Sequence, residues 1–331
     1  MLNIQGFILS EEAKSPRATG ELSSILTEIA FGAKIVSREV NKAGLVDILG
    51  LTGKVNVQGE EVQKLDDYAN DIFIQIFKRG QHIAGLASEE MEKIQDFSKS
   101  ALRAKYVVCI DPLDGSSNVD ANVSIGTIFS VYKRTSKSGN LTNQDFLQKG
   151  KQQVCAGYIL YGSSTMMVYT TGKGVNGFTL DPSIGEFILS HENIKTPLKG
   201  KVYSVNEGYS FKWNSGVFNY IKSLKKGYQG YEKPHKARYI GSLVSDFHRN
   251  LLYGGVFLYP ADKKNPNGKL RLLFEGNPMA MIIEQAGGRA SNGQKEVLDI
   301  KPGEIHQRIP LFIGSKNDVK ILLYFLKKEK R

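Results

Sequence analysis

Apolar residues recur at helical spacing between Thr19 and Val40, where Leu22, Ile25, Leu26, Ile29, Ala30, Ala33 and Val36 fall three or four apart. This predicts an amphipathic helix with Thr19 as its N-cap and Glu21 complementing the dipole of the first turn. A second helical pattern runs from about Val62 to Phe77 and meets a stop at Gly80. Then the period shortens. Residues 106–110, 123–133, 154–160, 164–171 and 175–180 are rich in Val, Ile, Tyr, Phe and Thr and read as strands. A basic stretch with Pro197 and Gly200, from Lys195 to Lys201, marks a domain boundary, giving domains 1–196 and 197–331. The second half predicts strands at Val202–Asn206 and Lys269–Glu275. It also predicts helices near Gly216–Leu224, Leu243–Leu252 and Pro278–Ala286. The alternation of both element types indicates an α/β (α+β) protein.

At 331 residues, 41% hydrophobic and 23% charged, the chain has ample material for two domains or one large body and no signature of disorder. No apolar run reaches the roughly 18 residues of a membrane helix; the longest, Leu251–Tyr259, is interrupted by Gly254 and Gly255. Phe7–Leu9 lacks the flanks of a signal peptide, so a cytoplasmic protein is expected. Cys109 and Cys155 each sit in an apolar run, which excludes a disulfide framework or a cysteine-built zinc site. The formal charge of +11 favours anionic partners. Between residues 221 and 240, Lys222, Lys225, Lys226, Lys233, Lys236 and Arg238 face only Glu232, and eight of the fifteen tyrosines lie between Tyr203 and Tyr259.

The strand-like Tyr106–Ile110 runs into Asp111-Pro-Leu-Asp-Gly-Ser-Ser-Asn118. Pro112 stiffens the turn, Asp111 and Asp114 can converge on one ion, and Gly115 with Ser116 and Ser117 can offer N–H groups to an oxyanion. The spacing excludes an EF-hand, because Leu113 and Gly115 occupy its ligand positions, and the aspartyl-nucleophile phosphatases, whose two Asp residues stand two apart. Glu89, Glu90 and Glu275 also end strand-like runs. With Asp111 and Asp114 they would form an all-oxygen site for two or more hard divalent ions, and such a site suits phosphoryl transfer to water. Gly172-Lys-Gly-Val-Asn-Gly177 matches a dinucleotide-binding glycine pattern but precedes a strand rather than a helix, so it is not one.

The Asp111–Asn118 string resembles the signature of the metal-dependent, lithium-sensitive sugar phosphatases, and the surrounding chain resembles the class I fructose-1,6-bisphosphatases over nearly its whole length. Carrying that resemblance are Lys64-Leu-Asp66, Ser124–Phe129, Leu180–Leu189, Asn206–Tyr209, Ala237–Ser242 and Gly268–Met279. It implies a five-layer α-β-α-β-α fold, a homotetramer and hydrolysis of fructose 1,6-bisphosphate to fructose 6-phosphate in gluconeogenesis, with neither nucleic acid nor membrane as a partner. Mg²⁺ would be the ion, with Mn²⁺ or Zn²⁺ as substitutes, held by Glu89, Glu90, Asp111, Asp114, Glu275 and the Leu113 carbonyl. The backbone of Asp114, Gly115, Ser116 and Ser117 would cradle the 1-phosphate, Asp66 with Glu90 would polarise the attacking water, and Arg271 would neutralise charge beside it. Asn206, Tyr209, Tyr239, Tyr259 and Lys269 would hold the sugar and its 6-phosphate, together with Arg238 from a neighbouring subunit.

An AMP-inhibition site is implied at Thr19, Glu21, Leu22, Ser23, Lys105 and Tyr106. Ser23 replaces the Thr of vertebrate enzymes and Lys133 their Arg, which points to weaker inhibition. The cysteine insertion of the chloroplast form is absent from residues 135–150. The alternatives are a sedoheptulose-1,7-bisphosphatase or another sugar or inositol phosphatase, and a non-enzymatic anion-binding module, which would leave the acids unexplained.

Overall fold

The computed structural model describes residues 1–14, 18–42, 45, 51–55, 61–137, 139–227 and 233–329. Glu232 of the basic stretch lies outside them. Helix α1 (Ile4–Ala13) is capped by the Asn3 side chain, which accepts the Gly6 N–H at 2.9 Å. Helix α2 (Glu21–Val40) is the predicted amphipathic helix, and it buries Ile25, Leu26, Ile29, Ala30, Ala33 and Val36. Its N-cap is Gly20 rather than Thr19: the Gly20 carbonyl accepts the first helical N–H, from Ser24, and its φ of 78° is one that a β-branched residue resists. Strands β1 (Leu51–Val55) and β2 (Glu61–Gln63) pair antiparallel and lead into α3 (Lys64–Gly80).

An eight-stranded sheet follows: β3 (Ile83–Ser88), β4 (Gln95–Asp96), β5 (Tyr106–Asp114), β6 (Ile125–Lys133), β7 (Gln153–Tyr161), β8 (Thr165–Thr170), β9 (Asn176–Asp181) and β10 (Glu186–His191). Its order is β10-β9-β8-β7-β6-β5-β3-β4, with only β3 and β5 parallel. The second half contributes β11 (Val202–Ser204), α4 (Ser215–Lys226), β12 (Lys236–Ala237), α5 (Leu243–Tyr253), β13 (Val256–Tyr259) and β14 (Leu270–Arg271). It continues with α6 (Asn277–Gln285), β15 (Arg289–Ser291), β16 (Arg308–Ile309), β17 (Leu311–Gly314) and α7 (Lys316–Glu329). Five of these strands form a second sheet in the order β12-β11-β13-β17-β15. The predicted strand Lys269–Glu275 is paired only at β14; Leu272–Gly276 winds into a π-helical turn that runs into α6. A short apolar run carries no period by which strand and helix can be told apart.

Alternation along the strands builds five layers. Phe129, Cys155, Ile159 and Met167 point towards α1–α3, whereas Ile128, Ala156, Tyr158 and Val168 point the other way, onto α5 and α6. Phe257, Leu311 and Ile313 complete that middle layer, and their neighbours Val256, Leu258 and Phe312 face α4 and α7. The order is therefore helix, sheet, helix, sheet, helix. Both cysteines are buried in the first sheet, and burial pushes the Cys109 thiol up to about 12. Tyr203 and Tyr220, two of the clustered tyrosines, are core residues between the second sheet and the outer helices. Among the described residues no helix is long and apolar enough to cross a membrane.

The backbone is tightest where the chain enters the second sheet. The Gly200 N–H donates to Asp318 at 2.8 Å, and a Cβ at residue 200 would lie 2.0 Å from the Gly255 backbone nitrogen. Gly200→Ala should therefore destabilise the fold by about 3 kcal/mol, read as a lower urea midpoint at unchanged slope.

Candidate functional site

Asp111 and Asp114 are three apart, so a regular strand would point them to opposite faces. The chain avoids this with a bulge. The pairing of β5 with β6 runs regularly to Asp111↔Ile128 and then shifts to Asp114↔Gly126, three residues against two, which lets both carboxylates share one side. Thr127 holds the bulge: its hydroxyl donates to the Pro112 carbonyl at 2.8 Å and lies 2.9 Å from the Tyr161 hydroxyl.

Glu275 reaches these two from the π-helical turn, and ligand oxygens of Asp111, Asp114 and Glu275 lie within 4.8 Å of one another, all buried. Glu89, directly after β3, stands within hydrogen-bond reach of Asp111 and accepts the Arg271 guanidinium at 2.8 Å. The Arg271 backbone N–H donates to Glu275 at 2.5 Å. Asp114 accepts the Ser242 hydroxyl at 2.8 Å and the Val244 N–H at 2.9 Å, both from the start of α5, whose dipole favours an anion there.

Burial pushes the Asp111 carboxyl well above its usual range, and the charges of Glu89, Asp114 and Glu275 add to this. Burial acts likewise on Glu275, reinforced by Glu89 and opposed by Arg271. Asp114 rises to about 6 through burial, moderated by its two donors at α5. Four carboxylates against one bonded guanidinium leave an excess of negative charge that a hard divalent cation would balance, so the donor set fits a metal. Asp66 is buried in the first turn of α3. One helical turn later Asn70 accepts the Ser88 hydroxyl at 2.7 Å, which sets this face of α3 against the end of β3, before Glu89 and Glu90.

Beside the cluster, Asn206, Tyr209, Tyr239, Tyr259 and Lys269 line one pocket together with Trp213 and Asp262. Burial raises the Tyr239 hydroxyl, reinforced by Tyr259, Asp246, Tyr209 and Asp114. Arg238 is exposed and outside the pocket lining.

The family described as "Fructose-1-6-bisphosphatase, N-terminal domain" matches residues 2–192, and its C-terminal counterpart matches residues 196–327. The chain belongs to the fructose-1,6-bisphosphatase family. A class 1 fructose-1,6-bisphosphatase of Chloroherpeton thalassium is 58% identical over 322 residues, 97% of this chain and 92% of that protein. The crystal structure of Leishmania major fructose-1,6-bisphosphatase in holo form superposes with a TM-score of 0.92 at 39% identity, covering 98% of both chains. The apo form of the same enzyme gives 0.87 at 38% identity, covering 98% of this chain and 99% of that one.

In this family member a second cavity, of about 270 Å³, opens between α1, α2 and the sheet. Thr19, Leu22, Ser23 and Tyr106 line it. Glu21 and Lys105 pair with each other at 2.8 Å and, like Lys133, are not among its lining residues. Lys133 ends β6 directly opposite Tyr106. Glu12 also lines the cavity and accepts the Ser23 hydroxyl at 2.5 Å, a contact made across eleven residues that no local motif announces.

Sequence reasoning also missed Val244 and the charge partnership of Arg271 with Glu89, because each is made across a long separation. Ser242 did carry a signal, as the last residue of the Ala237–Ser242 string and a good N-cap type before an apolar helical run. The metal reading is checked by thermal unfolding. At a hundred times its dissociation constant, Mg²⁺ should stabilise the protein by about 2.7 kcal/mol, and Asp114→Asn should abolish most of that increment.

Proposed function

We propose that the chain hydrolyses the 1-phosphate of fructose 1,6-bisphosphate, releasing fructose 6-phosphate and inorganic phosphate. The observation that carries the reading is the buried cluster of Asp111, Asp114 and Glu275, bordered by Arg271–Glu89 and adjoining a pocket of tyrosines and Lys269. Glu89, Glu90, Asp111, Asp114, Glu275 and the Leu113 carbonyl would hold two or more divalent ions, Mg²⁺ first and Mn²⁺ or Zn²⁺ in its place, which supply Lewis acidity when bound. Gly115, Ser116 and Ser117 turn their N–H groups to the 1-phosphate, where the αL conformation of Gly115 (φ 77°) opens a 3₁₀ turn. Asp66 and Glu90 orient the attacking water and accept its proton on a carboxylate oxygen. Arg271 offsets the charge of the reacting phosphate.

Asn206, Tyr209, Tyr239, Tyr259 and Lys269 fix the sugar and its 6-phosphate, and the exposed Arg238 reaches the site of a neighbouring subunit in a homotetramer. The division into domains 1–196 and 197–331 separates the loop of the 1-phosphate from the residues of the 6-phosphate. The protein works in the cytoplasm, and AMP is its inhibitor, bound in the cavity beside α2.

Mg²⁺-dependent phosphate release should be faster from fructose 1,6-bisphosphate than from sedoheptulose 1,7-bisphosphate or an inositol monophosphate; no release from the first would overturn the reading. Asp114→Ala should lose at least about 3 kcal/mol of transition-state stabilisation, a hundredfold or more in rate. Near-normal turnover in that variant would remove the cluster from the chemistry. AMP should inhibit, and Lys133→Arg should tighten the inhibition by supplying a planar fork. An unchanged response would exclude Lys133 from that site.

A further inference from the structure

One buried carboxylate holds the segment that joins the tyrosine pocket to the acidic cluster. Asp246, in the first turn of α5, is 1% exposed. Its oxygens accept the Ile240 N–H at 3.0 and 3.1 Å and the Gly241 N–H at 3.1 Å, and the buried Ser204 hydroxyl of β11 bonds the same group. Just before this turn the Arg238 N–H donates to the Tyr203 carbonyl at 2.9 Å. Just after it the Gly241 carbonyl accepts Asn118 at 3.2 Å, and Ser242 and Val244 bond Asp114. Between these anchors sits Tyr239, the residue that enters the pocket. Asp246 itself is not among the pocket-lining residues.

We propose that Asp246 is a positioning residue for substrate: by gathering the N–H groups of Ile240 and Gly241 it sets the turn that presents Tyr239 to the sugar phosphate at a fixed distance from Asp114. The proposal rests on the function proposed above and adds to it a residue that touches neither substrate nor metal. The physical reason is the cost of the alternative. Without the carboxylate, the Ile240 and Gly241 N–H groups and the buried Ser204 hydroxyl lose the acceptor they share, and nothing then holds the turn in this one arrangement. The Asp114 contacts come from the helix start itself and survive, so the loss falls on ground-state binding of the distal phosphate and not on the reacting centre.

The test is Asp246→Asn, which keeps the shape but removes the charge and leaves one acceptor oxygen to serve the two N–H groups and the Ser204 hydroxyl. KM for fructose 1,6-bisphosphate should rise about tenfold, and calorimetric affinity for fructose 6-phosphate without metal should fall by a similar factor. In the same variant kcat should stay within about twofold and half-saturation by Mg²⁺ should not move. A purely structural role would instead lower the active fraction, cutting kcat at unchanged KM, and that result overturns the proposal. Should the wild-type protein bind fructose 6-phosphate without hydrolysing the bisphosphate, the enzymatic reading fails, while weaker binding by Asp246→Asn still supports the positioning role. If the variant does not fold, hydrogen exchange on the wild-type protein decides. Fructose 6-phosphate should further slow exchange of the Ile240 and Gly241 amides, and no added protection would overturn the assignment.

Discussion

Four carboxylates gathered out of water around one guanidinium repel one another, and the surrounding structure exists to hold them against that repulsion. Three different devices supply them. Asp111 and Asp114 come from a bulged strand end, Glu89 from the end of the parallel neighbour strand, and Glu275 from a π-helical turn. Rigid sheet on one side and helix termini on the other keep the acids from relaxing into solvent. Burial, reinforced by the neighbouring carboxylates, raises the carboxyls of Asp111, Asp114 and Glu275.

The layers around the cluster share one purpose. The start of α5 gives Asp114 two hydrogen-bond donors and closes so tightly that a Cβ on Gly115 would stand 2.8 Å from the Ser242 Cβ. The same stretch of chain carries Tyr239 into the neighbouring pocket, so the acidic cluster and the tyrosine pocket are built on one continuous segment. A displacement of α5 would therefore disturb both ends together.

Much of this was legible in the chain. The amphipathic run that becomes α2, the β-rich runs of the first sheet and the Asp111–Asn118 string all carry their own pattern, because each is local in sequence. Reading failed where the pattern was local but ambiguous. Lys269–Glu275 is apolar enough for a strand, yet only Leu270 and Arg271 pair, and the π-turn that follows is what carries Glu275 to the cluster. The tyrosine-rich zone divides its work: Tyr203 and Tyr220 serve the core, while among the described residues Tyr209, Tyr239 and Tyr259 line the pocket.

Sequence alone determined the types of residue present, the alternation that makes sheets and helices, and the acidic string whose spacing excludes other metal loops. Tertiary structure decided which acids meet. Glu275 reaches Asp111 across nearly half the chain, Arg271 takes Glu89, Ser242 and Val244 take Asp114, and Asp246 takes the turn before it. Period and propensity report only what neighbours in sequence share. A carboxylate's partners are chosen by burial, which brings distant segments together and leaves each charge no acceptable place except beside a donor or an ion.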